Sequence, residues 1–196
     1  MIEQNIYLCG VGGQGIGLLA EVMIQSCLSA GHRVKGVDTH GLAQRGGIVT
    51  SHIRLGERVF SPRIPPGQAE IVLGLERLEA YRAAVGMLKD GGTVVYYDCE
   101  YQPIHVRMGK AQYPSVAELE QVVKERHGRI ERVFLDLPDP RMQNTALLGR
   151  FAALGLVEGL TPAIVEAQLS ELIPAAALEE NLNVFRAASL AQASSH

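Results

Sequence analysis

The chain predicts an α/β protein with three layers, α/β/α. Its sheet is mixed and mainly parallel, Rossmann-like, and its C-terminal third is helical. Three observations predict this. An apolar run, Ile6-Tyr7-Leu8-Cys9, passes through Gly10-Val11-Gly12-Gly13-Gln14-Gly15 into helical spacing at Ile16, Leu19, Ala20, Met23, Ile24, Cys27 and Leu28. Short β-rich runs and helical patterns then alternate through the middle of the chain. The final third is almost entirely of helical pattern, punctuated by Thr161-Pro162 and Pro174.

Taken in order, Gly31 after Ala30 ends the first helix, and Arg33 to Asp38 reads as a second strand. Strand, glycine turn, helix and strand form a βαβ unit. A second glycine turn follows, His40-Gly41-Leu42-Ala43-Gln44-Arg45-Gly46-Gly47. Beyond it, Val49, Ser51, Ile53 and Leu55 alternate with Thr50, His52 and Arg54. Gly56-Glu57 and the returning Arg58-Val59-Phe60-Ser61 predict a hairpin whose polar face presents Thr50, His52 and Arg54 together. Pro62, Pro65 and Pro66 impose an irregular loop. Ala69 to Leu75 is a strand, and Leu78, Tyr81, Val85 and Leu88 mark a helix that ends before Gly91-Gly92. Thr93 to Asp98 is a β-rich strand, and a short strand is expected around Ile104 to Val106. Ser115 and Glu118 form a capping box for a helix ended by Gly128. Ile130 to Leu137 is a strand and Met142 to Val157 an apolar helix. Thr161 as N-cap with Pro162 at N1 starts the next helix, and Leu178, Leu182 and Phe185 line the last. The apolar excess of this region fits either a subunit interface or simple core packing.

The 196 residues fit one domain spanning 1–196, with a net charge of −3 and 47% apolar residues. No basic block or aromatic series invites nucleic acid. No apolar run is long enough to cross a bilayer, and no secretory leader precedes the first strand, so a cytoplasmic protein is expected. Cys9, Cys27 and Cys99 have no metal or redox spacing, and no metal site is expected. Cys9 and Cys27 fall on apolar faces and read as core thiols.

A strand running through glycines into a helix leaves bare N–H groups at a positive helix end, which suits an anion. Gly10, Gly12 and Gly15 also fit G-x-G-x-x-G, with Asp38 near the place of a ribose-binding acid, so a stand-alone NAD-binding module is the alternative reading. Against it, the chain runs into a glycine turn and a hairpin where a dinucleotide fold continues into another helix and parallel strand. In the second turn Gly46-Gly47 lets backbone approach a ligand, and Arg45 offers a planar fork for carboxylate or phosphate. Gln44 and His40 add donors and an acceptor. The competing structural readings are an internal ion pair for Arg45 and a turn cap for His40.

The combination of Gly12-Gly13-Gln14-Gly15, the His40 to Gly47 turn and Ser51-His52-Ile53-Arg54 resembles the small catalytic-domain subunit of the 2-oxoacid:acceptor oxidoreductases. The likeness is strongest from Ile6 to Gly56. It continues more loosely through Ala69 to Asp98, the region of Asn144, and Asn181 to Phe185. The wording of the second turn is closest to the indolepyruvate branch. The resemblance implies oxidative decarboxylation of a 2-oxo acid to an acyl-coenzyme A, with electrons leaving to ferredoxin. It implies His40, Gln44 and Arg45 as catalytic residues, and Gly12, Gly13, Gln14, Gly15, Gly46 and Gly47 as residues lining a cofactor or cosubstrate. The chain carries no ferredoxin-type cysteine series and no recognisable thiamine diphosphate motif. Thiamine diphosphate, Mg and iron–sulfur clusters are therefore expected on a larger partner subunit, with coenzyme A as cosubstrate. Self-association into a homodimer is expected of the isolated chain.

Overall fold

Alternating apolar side chains sort the chain into layers, and the computed structural model shows the result for residues 3–39, 47–101, 108 and 112–191. Six strands form one sheet: β1 (Gln4–Val11), β2 (Val34–Thr39), β3 (Ile48–Leu55), β4 (Ala69–Gly74), β5 (Leu88–Tyr97) and β6 (Arg129–Val133). Their spatial order is β2-β3-β1-β4-β5-β6. β3 runs antiparallel to both its neighbours, and the other adjacent pairs are parallel. Among the described residues six α-helices cover the sheet: α1 (Ile16–Ser29), α2 (Arg77–Gly86), α3 (Val116–Glu125), α4 (Gln143–Ala153), α5 (Pro162–Leu172) and α6 (Ala175–Leu190).

The period-two pattern of the strands divides the core. Ile6 and Leu8, Ile53 and Leu55, Ile71 and Leu73, and Val95 and Tyr97 face α1 and α4 to α6. Cys9, Val72, Val94 and Tyr96 face α2 and α3. Val165, Leu169, Val184, Phe185 and Ala188 are all buried in the larger core, so core packing accounts for most of the C-terminal apolar excess. α4 and α6 approach closely at Gly149, where an added Cβ would collide with the Phe185 carbonyl.

Local chemistry explains the helix ends. Gly31 at φ 86° lets its N–H reach Leu28 O (2.9 Å), while His32 N–H reaches Cys27 O (3.0 Å), a Schellman closure of α1. The expected capping box opens α3: Glu118 N–H donates to Ser115 Oγ (3.2 Å) and Ser115 N–H to Glu118 Oε2 (2.7 Å). At its other end His127, not Gly128, takes the left-handed position, with φ 52°. Gly128 is required for space, since a Cβ there would lie 2.7 Å from Gly92 O. Thr161 caps α5 by accepting from Ile164 N–H at 3.4 Å.

Four expectations need correction. Arg58 to Ser61 is not a returning strand, because β1 and β2 already occupy both edges of β3. The chain leaves the sheet at Gly56 and arches over its face. Leu88 belongs to β5 rather than to a helix: its buried side chain pairs with Ala69, and β5 runs through Gly91-Gly92. β6 stops at Val133, and α4 at Ala153 after a 3-10 turn at Pro140–Met142. The strand expected around Ile104 to Val106 lies outside the described residues, apart from the neighbouring turn residue Met108.

Candidate functional site

Between β1 and β4 the direction of chain winding reverses, which is where open α/β sheets leave a crevice beyond the carboxyl ends of their strands. In open α/β sheets ligands bind at such a switch point. β1 ends in the first glycine turn, and α1 begins at once. Gly13 (φ 103°) and Gly15 (φ 79°) hold left-handed conformations that a side chain would strain. Both are exposed, and Gly12 is half-buried. Gly15 is the N-cap of α1. No side chain caps this helix, and its first turn carries no acidic residue. The result is an exposed positive helix end compatible with an anion.

The first glycine turn meets Gly47, the last residue of the second, here. Gly12 N–H donates to Gly47 O at 2.9 Å. The register of β2 with β3 carries the other end of the second turn to the same edge, with Thr39 opposite Thr50. His40, Gly41, Gln44, Arg45 and Gly46 lie outside the described residues.

Gln14 does something the sequence conceals. It is only 4% exposed. Its Oε1 accepts from Val11 N–H at 2.8 Å. Its Nε2 donates to Leu75 O at 2.7 Å and to Gln143 Oε1 at 2.9 Å, with Cys99 Sγ at 3.6 Å. Both amide N–H groups thus have internal acceptors. Gln14 clasps the turn to β4 and α4, and its amide faces the protein rather than a ligand. Next to it, Asn144 Nδ2 reaches Gly15 O at 3.5 Å, and Asn144 Oδ1 accepts from Thr145 N–H at 2.8 Å. Thr145 Oγ1 donates to Asn181 Oδ1 at 2.7 Å. A polar chain therefore runs from the glycine turn into α6.

Residues with no local sequence signal complete the crevice. Glu76 follows β4 and is fully buried. Its Oε2 accepts from Glu79 N–H at 2.7 Å, capping α2, while its Oε1 has no partner among the described residues. Burial pushes its carboxyl up to about 7. The Cys99 thiol donates to Leu75 O at 3.2 Å, and burial raises it to about 12, so it stays a thiol. Asp98, at the end of β5, is gripped by Arg77 Nε (2.6 Å) and Arg132 Nη2 (2.6 Å). An unusual N-cap Glu directly after an apolar strand was the one available hint, since Ser, Thr, Asp and Asn dominate that position.

The alternative nucleotide reading loses its geometry. β3 lies between β1 and β2, so Asp38 sits about two strand spacings, roughly 10 Å, from the end of β1. The described residues contain no group of three or more His, Cys, Asp or Glu able to hold a metal. Cys9 and Cys27 are buried in the core, and their thiols are raised by burial. These cysteines do not fit an iron–sulfur cluster. No helix of the described residues is long and apolar enough to cross a membrane.

Residues 5–191 match the family model described as pyruvate ferredoxin/flavodoxin oxidoreductase. The chain is 33% identical over 195 residues to an indolepyruvate oxidoreductase subunit IorB of Thermococcus kodakarensis, covering 94% of each chain. It is likewise 33% identical over 193 residues to the subunit of that name from Pyrococcus horikoshii, again over 94% of each. Its fold is similar to the gamma subunit of a keto/oxoacid ferredoxin oxidoreductase from Geobacter sulfurreducens, with TM-score 0.65, 19% identity, and 95% and 96% of the two chains covered. It is also similar to part of a 2-oxoglutarate:ferredoxin oxidoreductase from Magnetococcus marinus, solved with 2-oxoglutarate, coenzyme A and succinyl-CoA bound. There the TM-score is 0.63 at 18% identity, over 96% of this chain and 31% of that one. The sheet order, the joined turns and this match across nearly the whole length lead to one conclusion: the chain belongs to the pyruvate ferredoxin/flavodoxin oxidoreductase family.

Proposed function

We propose that this chain is the small subunit of a thiamine-diphosphate-dependent 2-oxoacid:ferredoxin oxidoreductase acting on arylpyruvates such as indolepyruvate. The assembled enzyme converts 2-oxo acid, coenzyme A and oxidised ferredoxin into acyl-coenzyme A, carbon dioxide and reduced ferredoxin. Thiamine diphosphate, Mg and the iron–sulfur clusters belong to a larger partner subunit in this reading. Similarity over 94% of relatives named as indolepyruvate oxidoreductase subunits supports the substrate class.

The observation that carries the reading is the bond between the turns, Gly12 N–H to Gly47 O. It joins two backbone-rich bends at one edge of the sheet, beside an uncapped helix end. Such an edge offers preorganised N–H groups to an anionic group, a phosphate of coenzyme A or a substrate carboxylate. Gly12, Gly13 and Gly15 supply close backbone approach, and Gln14 holds them in place through β4 and α4. Arg45, His40 and Gln44, with Gly46 and Gly47, are proposed to contact substrate, coenzyme A or the partner from the second turn. Cytoplasmic location is part of the same reading.

The test is reconstitution. The chain is mixed with its cognate large subunit, thiamine diphosphate, coenzyme A and ferredoxin, and indolepyruvate-dependent ferredoxin reduction is followed. Activity that requires this chain, and that falls in Arg45→Ala while the thermal midpoint of the isolated chain holds, supports the proposal. Full activity of the large subunit alone refutes it. Calorimetry with NAD checks the alternative, and micromolar binding by the isolated chain would revive it.

A further inference from the structure

α2 and α3 lie over β1, β4, β5 and β6, and among the described residues no helix covers the same face of β2 and β3. The segment 59–66 arches there instead. Three side chains tether it: Lys35 Nζ donates to Phe60 O (3.3 Å), Arg54 Nη1 donates to Ser61 O (3.0 Å), and His52 Nδ1 accepts from Ile64 N–H (3.1 Å). Between this arch, the strands and Met87 lies a cavity of about 530 Å³. That is the size of a small-molecule site.

The lining has two halves. On one side Tyr7 and His52 meet edge to face, with centroids 5.0 Å apart. The Ile64 N–H fixes Nδ1 of His52 as the acceptor, so the neutral ring carries its proton on Nε2. Burial and then the neighbouring Arg63 cation both lower the His52 pKa and keep the ring neutral. His52 is 6% exposed and lines the cavity. Arg63 is exposed, and no ion pair between described residues includes its guanidinium. On the other side Ile64, Pro65, Pro66 and Met87 form an apolar wall.

We propose that this cavity binds a small carboxylate with an apolar, ring-sized body. Arg63 and the His52 Nε2–H hold the carboxylate, and Pro65, Pro66 and Met87 pack against the ring. A planar guanidinium fork matches a carboxylate, and a single cation beside a neutral donor suits a monoanion better than a phosphate dianion. A thioether beside a ring adds a favourable contact. The site lies on the sheet face, and the proposal does not rest on the reading of function given above.

The test is calorimetric titration of the full chain with phenylacetate and indole-3-acetate as probes. Phenylacetamide and inorganic phosphate serve as comparisons. Saturable binding of the aryl carboxylates is expected, about tenfold or more tighter than the neutral amide or phosphate. Arg63→Gln should weaken it about tenfold or more at an unchanged thermal midpoint, and His52→Gln should weaken it as well. Arg33→Gln, distant from the cavity, should leave it intact. Absence of saturable binding, equal binding of phosphate, or undiminished affinity in Arg63→Gln would overturn the proposal.

Discussion

Two buried polar side chains, in the turn after β1 and on the neighbouring strand β3, meet opposite fates. Gln14, at the carboxyl end of β1, has its carbonyl and both its N–H groups engaged inside the protein. His52, on the open face of β3, has Nδ1 engaged by the Ile64 N–H and lines the cavity. Each is nearly buried, at 4% and 6% exposure, so burial does not separate them. What each side chain faces does. A buried amide engaged on all sides fixes a scaffold, whereas a ring that lines a cavity is placed for recognition.

The sharpest way to break the comparison is Gln14→Leu. Val11 N–H loses its partner, and the single Cys99 thiol proton is left to serve both Leu75 O and Gln143 Oε1. A loss of about 3 kcal/mol in urea unfolding is expected, from unsatisfied groups at roughly 1–3 kcal/mol each. Glu76→Gln probes the same crevice through pH. The Glu76 carboxyl is raised to about 7 in the folded protein, above its unfolded value, so the folded state binds the extra proton between them. Its contribution is full below the unfolded pKa and is lost as pH rises through about 7. The wild-type chain should therefore lose stability between about pH 5 and pH 8, by an amount on the order of 2–3 kcal/mol. Glu76→Gln should flatten most of that slope. Glu79, also raised by burial, leaves a smaller residue of the same sign.

Smaller effects sharpen the contrast. Ser115→Ala removes a capping box remote from both regions and should cost about 1 kcal/mol by thermal denaturation, with no change in activity or binding. Arg63→Gln on the open face should change stability by less than about 0.5 kcal/mol, while weakening aryl carboxylate binding about tenfold or more. A large stability loss there would make the open face another scaffold.

Features written in local chemistry were legible in the sequence. The βαβ start, the Gly31 closure, the Ser115-Glu118 box and the Thr161-Pro162 start depend on residues a few positions apart. Strand order was not legible, because the place of β3 between β1 and β2 is decided by register with residues far along the chain. Gly56-Glu57 looks like a hairpin turn only until both edges of β3 are taken. Gln14 reads as a ligand-facing polar residue within a glycine turn. Its partners lie 61 and 129 positions away, beyond any local pattern. Glu76 and Cys99 enter the crevice for the same non-local reason.

The central claim is that the joined turns at the carboxyl edge are the surface this chain presents to the reaction centre of a larger subunit. Hydrogen exchange, measured on the free chain and on its complex with the cognate large subunit, tests it most directly. The account predicts strong new protection of the amides of Gly12 to Gly17 and of Gly47 on assembly. Exchange at these amides that is the same in the complex as in the free chain would contradict it.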